Sequence, residues 1–509
     1  TIMQNGLQRI TSFNLNDNDN KWQTLSFEKI EKGYYIIKVE AFNNKNYRLV
    51  RELLSRELRK KDNGLEVGSA NYIRRSPNYF IRAKGLAEES FLPNLAGESI
   101  KPIRPQVFVD YKLKEGDILI SKDSNIGETI ILDKDYPNYM PSGAIYKLPV
   151  EKDKFYLLAF LKSPIFKNQL DLMVPKGATI RHAKTLFLDC KIPFPNQKDS
   201  VEVVKYIEVL MRSIIAKEKA IRDKNEKIFN LIDREIKEHQ KKDKFSYIPP
   251  TVSDLRIRKR LDTGMYGESY QLTNFLINNY VGGSSSFDEL GYTISRGQNL
   301  QVTAVGRSYY SEDYHPNFYQ LILSKNFSDW MTAERYSYLG NPKKLKTVKE
   351  GDVIFSCRGD LGRIVIFCEK TENTITNIDN VHITNSNSTI ENKIFIGAFL
   401  NYLRRVGYLS LISITGSGAD SFTKYQFNLV RFPNFPTPIQ NKIANLFFNP
   451  VIYPKTSLGD FEAEHAKWNS SAGVYNIDKS MKKLKLHLTK VLEQVFENKH
   501  VDIDFSFLT

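Results

Sequence analysis

Apolar residues recur at helical spacing through one long stretch of the chain, from Asp199 to about Lys244, that contains neither proline nor glycine. Its stripe is built on isoleucines at seven-residue intervals, Ile207, Ile214, Ile221 and Ile228. This spacing is typical of an amphipathic helix whose apolar stripe packs against a second helix. Lys217 and Lys224 occupy companion positions, so the stripe is only partly apolar. The pattern predicts a long central helix over residues 199–244.

A second stripe lies near the end of the chain, where apolar residues stand three and four positions apart at Leu484, Leu488, Val491 and Val495. An earlier helix start, TPIQNKIANLFF, is separated from it by a polar interruption at about 449–477. Two partly apolar stripes can bury each other as an antiparallel pair. We therefore expect region 437–509 to be helical and to pair with the central helix.

Shorter apolar runs with turn residues between them predict strands on both sides of the central helix, and their order repeats. LKEGDILISKDSNIG at 113–127 matches VKEGDVIFSCRGDLG at 348–362, with an offset of 235 residues. FYLLAFLKS from 155 likewise parallels FIGAFLNYL from 395. Duplication of a strand-and-helix unit predicts two similar domains, at 1–198 and 245–436, in an α/β (α+β) fold. We also expect a helix at NYRLVRELLSRELRKK (46–61).

Composition narrows the functional class. The 509 residues exceed one hydrophobic core, and 73 Lys and Arg against 58 Asp and Glu give a net charge of +15. Such a balance favours a polyanionic partner, most simply nucleic acid. Three cysteines without metal-ligand spacing argue against a zinc site and fit a reducing cytoplasm. The absence of an apolar run of about 18 residues argues against a membrane span.

Catalytic motifs are missing from the sequence. There is no phosphate-binding GxxxxGK(S/T) loop, no adenine-methyltransferase motif of the Asn/Asp-Pro-Pro-aromatic kind and no nuclease pattern of the PD-x(n)-ExK kind. Glu115-Gly116-Asp117 and its repeat could suggest a metal site, but acid-Gly-Asp at a strand entry is more often turn chemistry. We predict no catalytic and no metal site. A divergent nuclease and a purely structural adaptor remain the alternatives from other classes.

The repeated EGD-(I/V)-hydrophobic-S-x4-(I/L)-G hairpin, the Pro-Phe-Pro exit and the Pro-x-Gln-x-x-Ile helix start resemble the specificity subunit of type I restriction-modification systems. RLDTGMY at 260–266 looks like the opening of that family's target-recognition domains, with a degraded version in IIKVEAF at 36–42. The interrupted last helix and the polar N-terminal arm depart from the family pattern. The recognition subunit of another multi-subunit DNA modification or phage-defence system is the related alternative.

The resemblance implies a non-catalytic subunit with two target-recognition domains, each reading one half of a bipartite duplex DNA site. It implies that the two helical stripes separate these domains and dock two methyltransferase subunits, through which restriction subunits join. S-adenosylmethionine is expected on those methyltransferase subunits, and no cofactor in this chain.

Candidate DNA-binding residues follow from residue chemistry, because Arg and Lys suit phosphate and guanine whereas Asn and Gln suit adenine. In the first domain they are Arg74, Arg75, Arg82, Lys84, Lys122, Asn125, Lys176, Arg181, His182 and Lys184. In the second they are Arg296, Gln298, Asn299, Arg307, Tyr309, Arg358 and Lys424. The loop SRGQN is the sharpest candidate, since it holds three readout residues.

Overall fold

The computed structural model describes residues 23–31, 34–41, 44–173, 183–258, 263–371, 373–416 and 419–508. The chain divides into two compact units. Unit 1 comprises the chain up to Lys219 with Ile452–Trp468 and Ser480–Thr509, and unit 2 comprises Ala220–Val451 with Asn469–Lys479. Each unit combines strands with helices, so the predicted mixed α/β class is confirmed.

Among the described residues of unit 1, ten strands and two helices precede the long helix. The strands are β1 (Gln23–Glu31), β2 (Tyr34–Ala41), β3 (Tyr47–Leu49), β4 (Tyr79–Ile81), β5 (Ile100–Pro102), β6 (Ile118–Ser121), β7 (Thr129–Ile131), β8 (Tyr139–Pro141), β9 (Ile145–Leu148) and β10 (Lys191–Pro193). The helices before the long one are α1 (Lys154–Leu161) and α2 (Pro164–Met173), and the long helix is α3 (Ser200–Glu238). β4 pairs antiparallel with β5 and parallel with β8, while β6 pairs antiparallel with β7 and β9.

Unit 2 repeats this arrangement with longer sheets. Its helices before the last strand are α4 (Val252–Arg258), α5 (Glu268–Asn278), α6 (Val302–Val305), α7 (Ile390–Arg405), α8 (Tyr408–Ile412) and α9 (Lys424–Leu429). Its strands are β11 (Ser284–Ser285), β12 (Thr293–Arg296), β13 (Tyr309–Ser311), β14 (Tyr319–Ile322), β15 (Ser337–Gly340), β16 (Val353–Ser356), β17 (Ile364–Ile366), β18 (Thr374–Thr376), β19 (Asn380–Thr384), β20 (Ile414–Gly416), β21 (Ala419–Ser421) and β22 (Phe432–Pro433).

The pairings of β4, β6 and β10 in unit 1 recur in unit 2. β14 pairs antiparallel with β15 and parallel with β18, and β16 pairs antiparallel with β17 and β19. β22 pairs with β11 as β10 pairs with β3. The internal repeat in the sequence therefore corresponds to a repeat of topology.

The acid-Gly-Asp segments are turns in both units. Gly116 and Gly351 both adopt φ of +81°, a conformation that favours glycine. The Asp117 carboxylate accepts a hydrogen bond from the Lys114 backbone N–H at 2.8 Å, and Asp352 accepts one from Lys349 at 2.9 Å. These carboxylates close the turn before each hairpin, as the turn interpretation of the motif predicts.

Helix α3 is shorter than the sequence pattern predicts, because it ends at Glu238 rather than near Lys244. Beyond it the chain leaves helical geometry to form a bridge between Gln240 and Tyr280, and the Lys241 N–H donates to the Asn279 carbonyl. The region after β22 contains α10 (Thr437–Phe447), α11 (Phe461–Ser471) and α12 (Val474–Phe496), so part of the polar interruption is helical.

Within unit 1, the part of α3 up to Lys219 and the part of α12 from Ser480 run antiparallel. Gln197, just before α3, bonds to the Val501 carbonyl, and further along α3 the Tyr206 hydroxyl lies 2.7 Å from His487 Nε2. All the predicted stripe residues are buried: Ile207, Ile214, Ile221, Ile228, Leu484, Leu488, Val491 and Val495. These side chains pack within the chain, and their assignment to subunit docking stays a prediction.

Two further predictions fail. Residues 46–61 are not an α-helix: they contain β3, whose partner β10 lies more than a hundred residues away in sequence, followed by short 3-10 turns. IIKVEAF is not the counterpart of RLDTGMY, because residues 36–41 lie in β2 whereas Thr263–Tyr266 form a 3-10 turn. Arg260, Leu261 and Asp262 lie outside the described residues.

Candidate nucleic-acid interface

The connection between β18 and β19 organises the candidate residues of unit 2. The Gln298 N–H donates to the Thr376 carbonyl at 2.7 Å, and the Gly297 N–H donates to the Asn380 carbonyl at 2.9 Å. A Cβ on Gly297 would lie 2.3 Å from the Asn377 carbonyl oxygen, so only glycine permits this approach. The loop SRGQN is thus held against residues 376–380, with Arg296 exposed beside it.

Arg358 reaches the same connection from the hairpin. Its Nη1 lies 3.8 Å from Asp379 Oδ1, and the neighbouring Cys357 N–H donates to the Asp379 carbonyl. The Cys357 carbonyl in turn accepts a hydrogen bond from the Phe422 N–H. Lys424, the first residue of α9, is two residues after Phe422. The structure therefore brings Arg296, Arg358 and Lys424 around one loop, and all three are exposed.

Gln298 is committed to the backbone rather than available for readout. Its Oε1 accepts from the Lys346 N–H at 2.9 Å, and its Nε2 donates to the Asn299 carbonyl at 3.1 Å. The Asn299 Oδ1 accepts from the Gln301 N–H at 3.0 Å, which leaves its amide nitrogen pointing to no described protein group. We infer that Gln298 positions the loop and that Asn299 is the better contact residue.

Tyr309 begins β13, the edge strand of the second sheet in unit 2, and Arg307 lies two residues before it. β13 pairs with β15 on one side only, and Tyr309 and Tyr310 are 64% and 55% exposed. A cavity of about 390 Å³ separates this edge from the readout loop, because Asn299 and Tyr310 both line it. The two groups of candidates therefore flank one concavity.

Unit 1 contains the same arrangement with different side chains. The Gly64 N–H donates to the Ile145 carbonyl, and the Leu65 N–H donates to the Pro141 carbonyl. Ile145 corresponds to Asn380 in unit 2, and Pro141 corresponds to Thr376. A Cβ on Gly64 would lie 2.1 Å from the Ser142 carbonyl oxygen, as tight as at Gly297. Gly64-Leu65-Glu66 is thus the counterpart of Gly297-Gln298-Asn299.

Other unit 1 candidates lie around residues 142–144. The Lys122 N–H donates to the Ala144 carbonyl, and the Lys122 ammonium lies 5.1 Å from the Tyr146 ring centroid. Ala183 donates to the Lys122 carbonyl, which brings exposed Lys184 alongside, while Asn125 is exposed at the hairpin tip.

The remaining unit 1 candidates follow or precede β4. Arg82 is half-buried and its Nη1 lies 3.0 Å from Glu98 Oε2, so part of its charge is compensated. Lys84 is exposed in a 3-10 turn, and Arg74 and Arg75 are exposed in the loop before β4. Lys176, Arg181 and His182 lie outside the described residues.

Sequence reasoning gives Tyr310 as a candidate together with Arg307 and Tyr309, but it misses three features, namely Lys325, Glu66 and the cavity. Lys325 occupies the 3-10 turn after β14, as Lys84 occupies the turn after β4. Tyr310 lines the cavity, and Glu66 is the counterpart of Asn299. The Lys84 and Lys325 pair could have been found from the repeat, because each lies three residues after a short apolar strand.

The residues that the structure describes contain no group of three or more His, Cys, Asp or Glu that could hold a metal ion. Burial raises the pKa of the Cys357 thiol to about 12, so the thiol beside Arg358 stays protonated at neutral pH. Among the helices described, none has the length and apolar character needed to cross a membrane.

Comparison with known proteins addresses the family. Residues 52–226 match the family model "Type I restriction modification DNA specificity domain". No curated protein matches the chain. The S subunit of a type I restriction-modification system from M. genitalium is similar in structure, with 12% identity, a TM-score of 0.39 and coverage of 90% of this chain and 97% of that chain.

The HsdS subunit from Thermoanaerobacter tengcongensis is also similar, with 14% identity, a TM-score of 0.26 and coverage of 85% of this chain and 95% of that one. The family match over residues 52–226 confirms the predicted resemblance to specificity subunits of type I restriction-modification systems.

Proposed function

We propose that the chain recognises DNA for a type I restriction-modification complex, with unit 1 and unit 2 each reading one half of a split duplex site. The single observation that carries the proposal is the repeated site. Each unit holds a glycine-anchored loop against the same inter-strand connection, and each surrounds it with exposed basic residues. Two similar surfaces with different side chains suit two different half-sites.

The chain acts in this proposal without catalysing a reaction. Methyl transfer belongs to two partner methyltransferase subunits, which bind S-adenosylmethionine, and restriction subunits join through them. The family match does not favour a recognition subunit of an unrelated modification system. A nuclease is also disfavoured, since the described residues contain no cluster of metal ligands.

The methyltransferase subunits are proposed to bind outward-facing residues of the helices instead of the buried stripe. Val201 on α3 and Leu486 on α12 are 80% and 61% exposed. Apolar side chains in such positions are available to a partner. Leu486→Glu should reduce co-purification of the methyltransferase subunit at least about tenfold, whereas Lys490→Glu, also exposed on α12, should have a smaller effect.

The test of recognition is selection from a random duplex library by the chain mixed with its methyltransferase subunit at near-physiological salt. Two short motifs at a fixed gap are expected, with methylation inside them. Arg296→Ala should change one motif, and Arg75→Ala should change the other. Lys442→Ala, exposed on α10 and outside both proposed binding surfaces, is the control and should change neither.

One contiguous motif, or no motif, would contradict the proposal. Metal-dependent cleavage by the purified chain alone would favour the nuclease alternative, and failure to bind any duplex with the methyltransferase present would favour the structural adaptor.

A further inference from the structure

The cavity between the readout loop and β13 differs from a duplex-binding surface because it is concave. Its volume is about 390 Å³, within the range of sites that enclose small ligands. Leu300, Leu321, Leu323 and Ile378 form its apolar lining. A base edge in a duplex groove is read by convex elements that enter the groove. A concave apolar floor therefore suits a flat group that leaves the duplex.

The polar groups around the cavity are placed for a nucleobase. Within the described residues, the Asn299 amide nitrogen, the Gln301 side chain and the Tyr310 hydroxyl donate to no protein group. Asn and Gln amides pair with adenine edges. The Glu312 carboxylate, also in the lining, accepts from Ser337 Oγ at 3.2 Å and retains acceptor capacity for an exocyclic amino group.

Stacking and charge complete the fit. Tyr310 is 55% exposed at the cavity mouth, and tyrosine rings stack on unpaired bases. Lys325 is exposed at the rim and forms no ion pair with any described residue, so its ammonium is available to a phosphate. The cavity thus offers an apolar floor, a ring, amides and one cation within a single unit.

We propose that this cavity binds one unstacked, amino-bearing base of the half-site read by unit 2. The inference rests on the proposed function and adds that recognition in unit 2 includes extrusion of a base from the duplex. Extrusion costs base pairing and stacking, and that cost falls when the base has no partner.

The test uses the half-site that Arg296→Ala alters in the library selection. Duplexes carrying a single abasic residue at each position of either strand are titrated with the chain and its methyltransferase subunit. At the position opposite the extruded base, the abasic residue should tighten binding about tenfold or more, because unpairing is no longer required. Removal of the extruded base itself should weaken binding.

Matched tyrosine variants assign the effect to the cavity. Tyr310→Ala should abolish the tightening, whereas Tyr314→Ala, which is 66% exposed and does not line the cavity, should preserve it. Ile378→Trp, which fills the cavity from its lining, should also abolish it.

The two levels of the proposal fail differently. A half-site governed by Arg296 at which no abasic residue tightens binding, or tightening that survives Tyr310→Ala, would overturn extrusion alone. Selection of no motif that responds to Arg296→Ala would overturn recognition by unit 2 itself.

Discussion

At the residue scale, substitutions of two glycines in the unit 2 hairpin can distinguish the cost of backbone strain from the cost of steric contact. Gly359 and Gly362 both have φ of +76°. A Cβ on Gly359 would meet nothing within 4 Å, whereas one on Gly362 would lie 2.8 Å from Leu409 Cδ1. Left-handed backbone costs a non-glycine residue about 1 to 2 kcal/mol.

Gly359→Ala should lower the free energy of unfolding by about that amount, and Gly362→Ala by about 1 to 3 kcal/mol more, because the side chain of Leu409 must move. Urea denaturation of both variants measures the difference. Equal losses would show that Leu409 accommodates the methyl group without cost.

Arg296 and Gln298 lie in one loop but should respond differently to removal. Gln298→Ala removes the acceptor of the exposed Lys346 N–H and should cost about 0.5 to 1.5 kcal/mol of stability, with the selected motif unchanged. Arg296→Ala should leave unfolding unchanged within about 0.5 kcal/mol and weaken the preferred sequence by about 1 to 3 kcal/mol of binding free energy. Thermal melts and fluorescence anisotropy measure the two effects. A changed motif in Gln298→Ala would restore this residue to direct readout.

The same loop shows how far the sequence could specify the site. SRGQN gives the residue types, and its strand–loop context could be predicted. The hydrogen bond to the Gln298 Oε1 comes from the backbone N–H of Lys346, which is distant in sequence. Likewise, the feature that Gly64 and Gly297 share is a backbone that passes close to the carbonyl oxygen of another segment. The residues next to each glycine in sequence do not predict that contact.

At the element scale, α3 carries a lysine where its stripe needs an apolar residue. Lys217 is fully buried, 4.4 Å from the Trp468 ring centroid and 5.2 Å from that of Tyr453. Burial lowers its pKa to about 7, while the two ring faces favour the ammonium form. Burial lowers the pKa of neighbouring His465 to about 3, so this imidazole is neutral at physiological pH.

The lowered pKa predicts the pH dependence of stability. Between about pH 7 and 10 the unfolded chain binds this proton more than the folded chain does, so stability should rise with pH. Lys217→Met should stabilise by about 1 to 4 kcal/mol at pH 7, with the gain shrinking towards pH 10. Unfolding at several pH values measures it, with exposed Lys205→Met as control. Destabilisation at pH 7 would mean that the ring faces outweigh burial.

Elements defined by local pattern could be predicted, and those defined by distant partners could not. The β6–β7 hairpin around Gly127 and the β16–β17 hairpin around Gly362 could be predicted from the turn residues within each motif. Helix α3 could be predicted from the seven-residue period of its isoleucines. Residues 46–61 have a helical composition, yet Tyr47–Leu49 pairs with Lys191–Pro193. That non-local hydrogen bonding outweighs helix propensity, which is a weak preference.

At the scale of the whole molecule, the chain has a net charge of +15, and two of its lysines occupy equivalent positions in the two repeated surfaces. Lys84 and Lys325 occupy equivalent 3-10 turns, one in each unit, and both are exposed. Neither lysine lies in a loop assigned to base readout, which is SRGQN in unit 2 and Gly64-Leu65-Glu66 in unit 1. Both are suited to phosphate, which contributes affinity without sequence preference.

Affinity for the selected duplex should fall steeply with salt, since each neutralised phosphate contributes about −0.9 to the slope of log K against log salt concentration. Lys84→Ala and Lys325→Ala should each reduce the steepness by about one and weaken preferred and random duplexes by similar factors. Anisotropy titrations between 50 and 200 mM salt measure the slopes, with Lys442→Ala on α10 as control. If either variant weakened only the preferred duplex and kept the original slope, that lysine would be reading bases, and the distinction between readout loops and phosphate-binding turns would not hold in that unit.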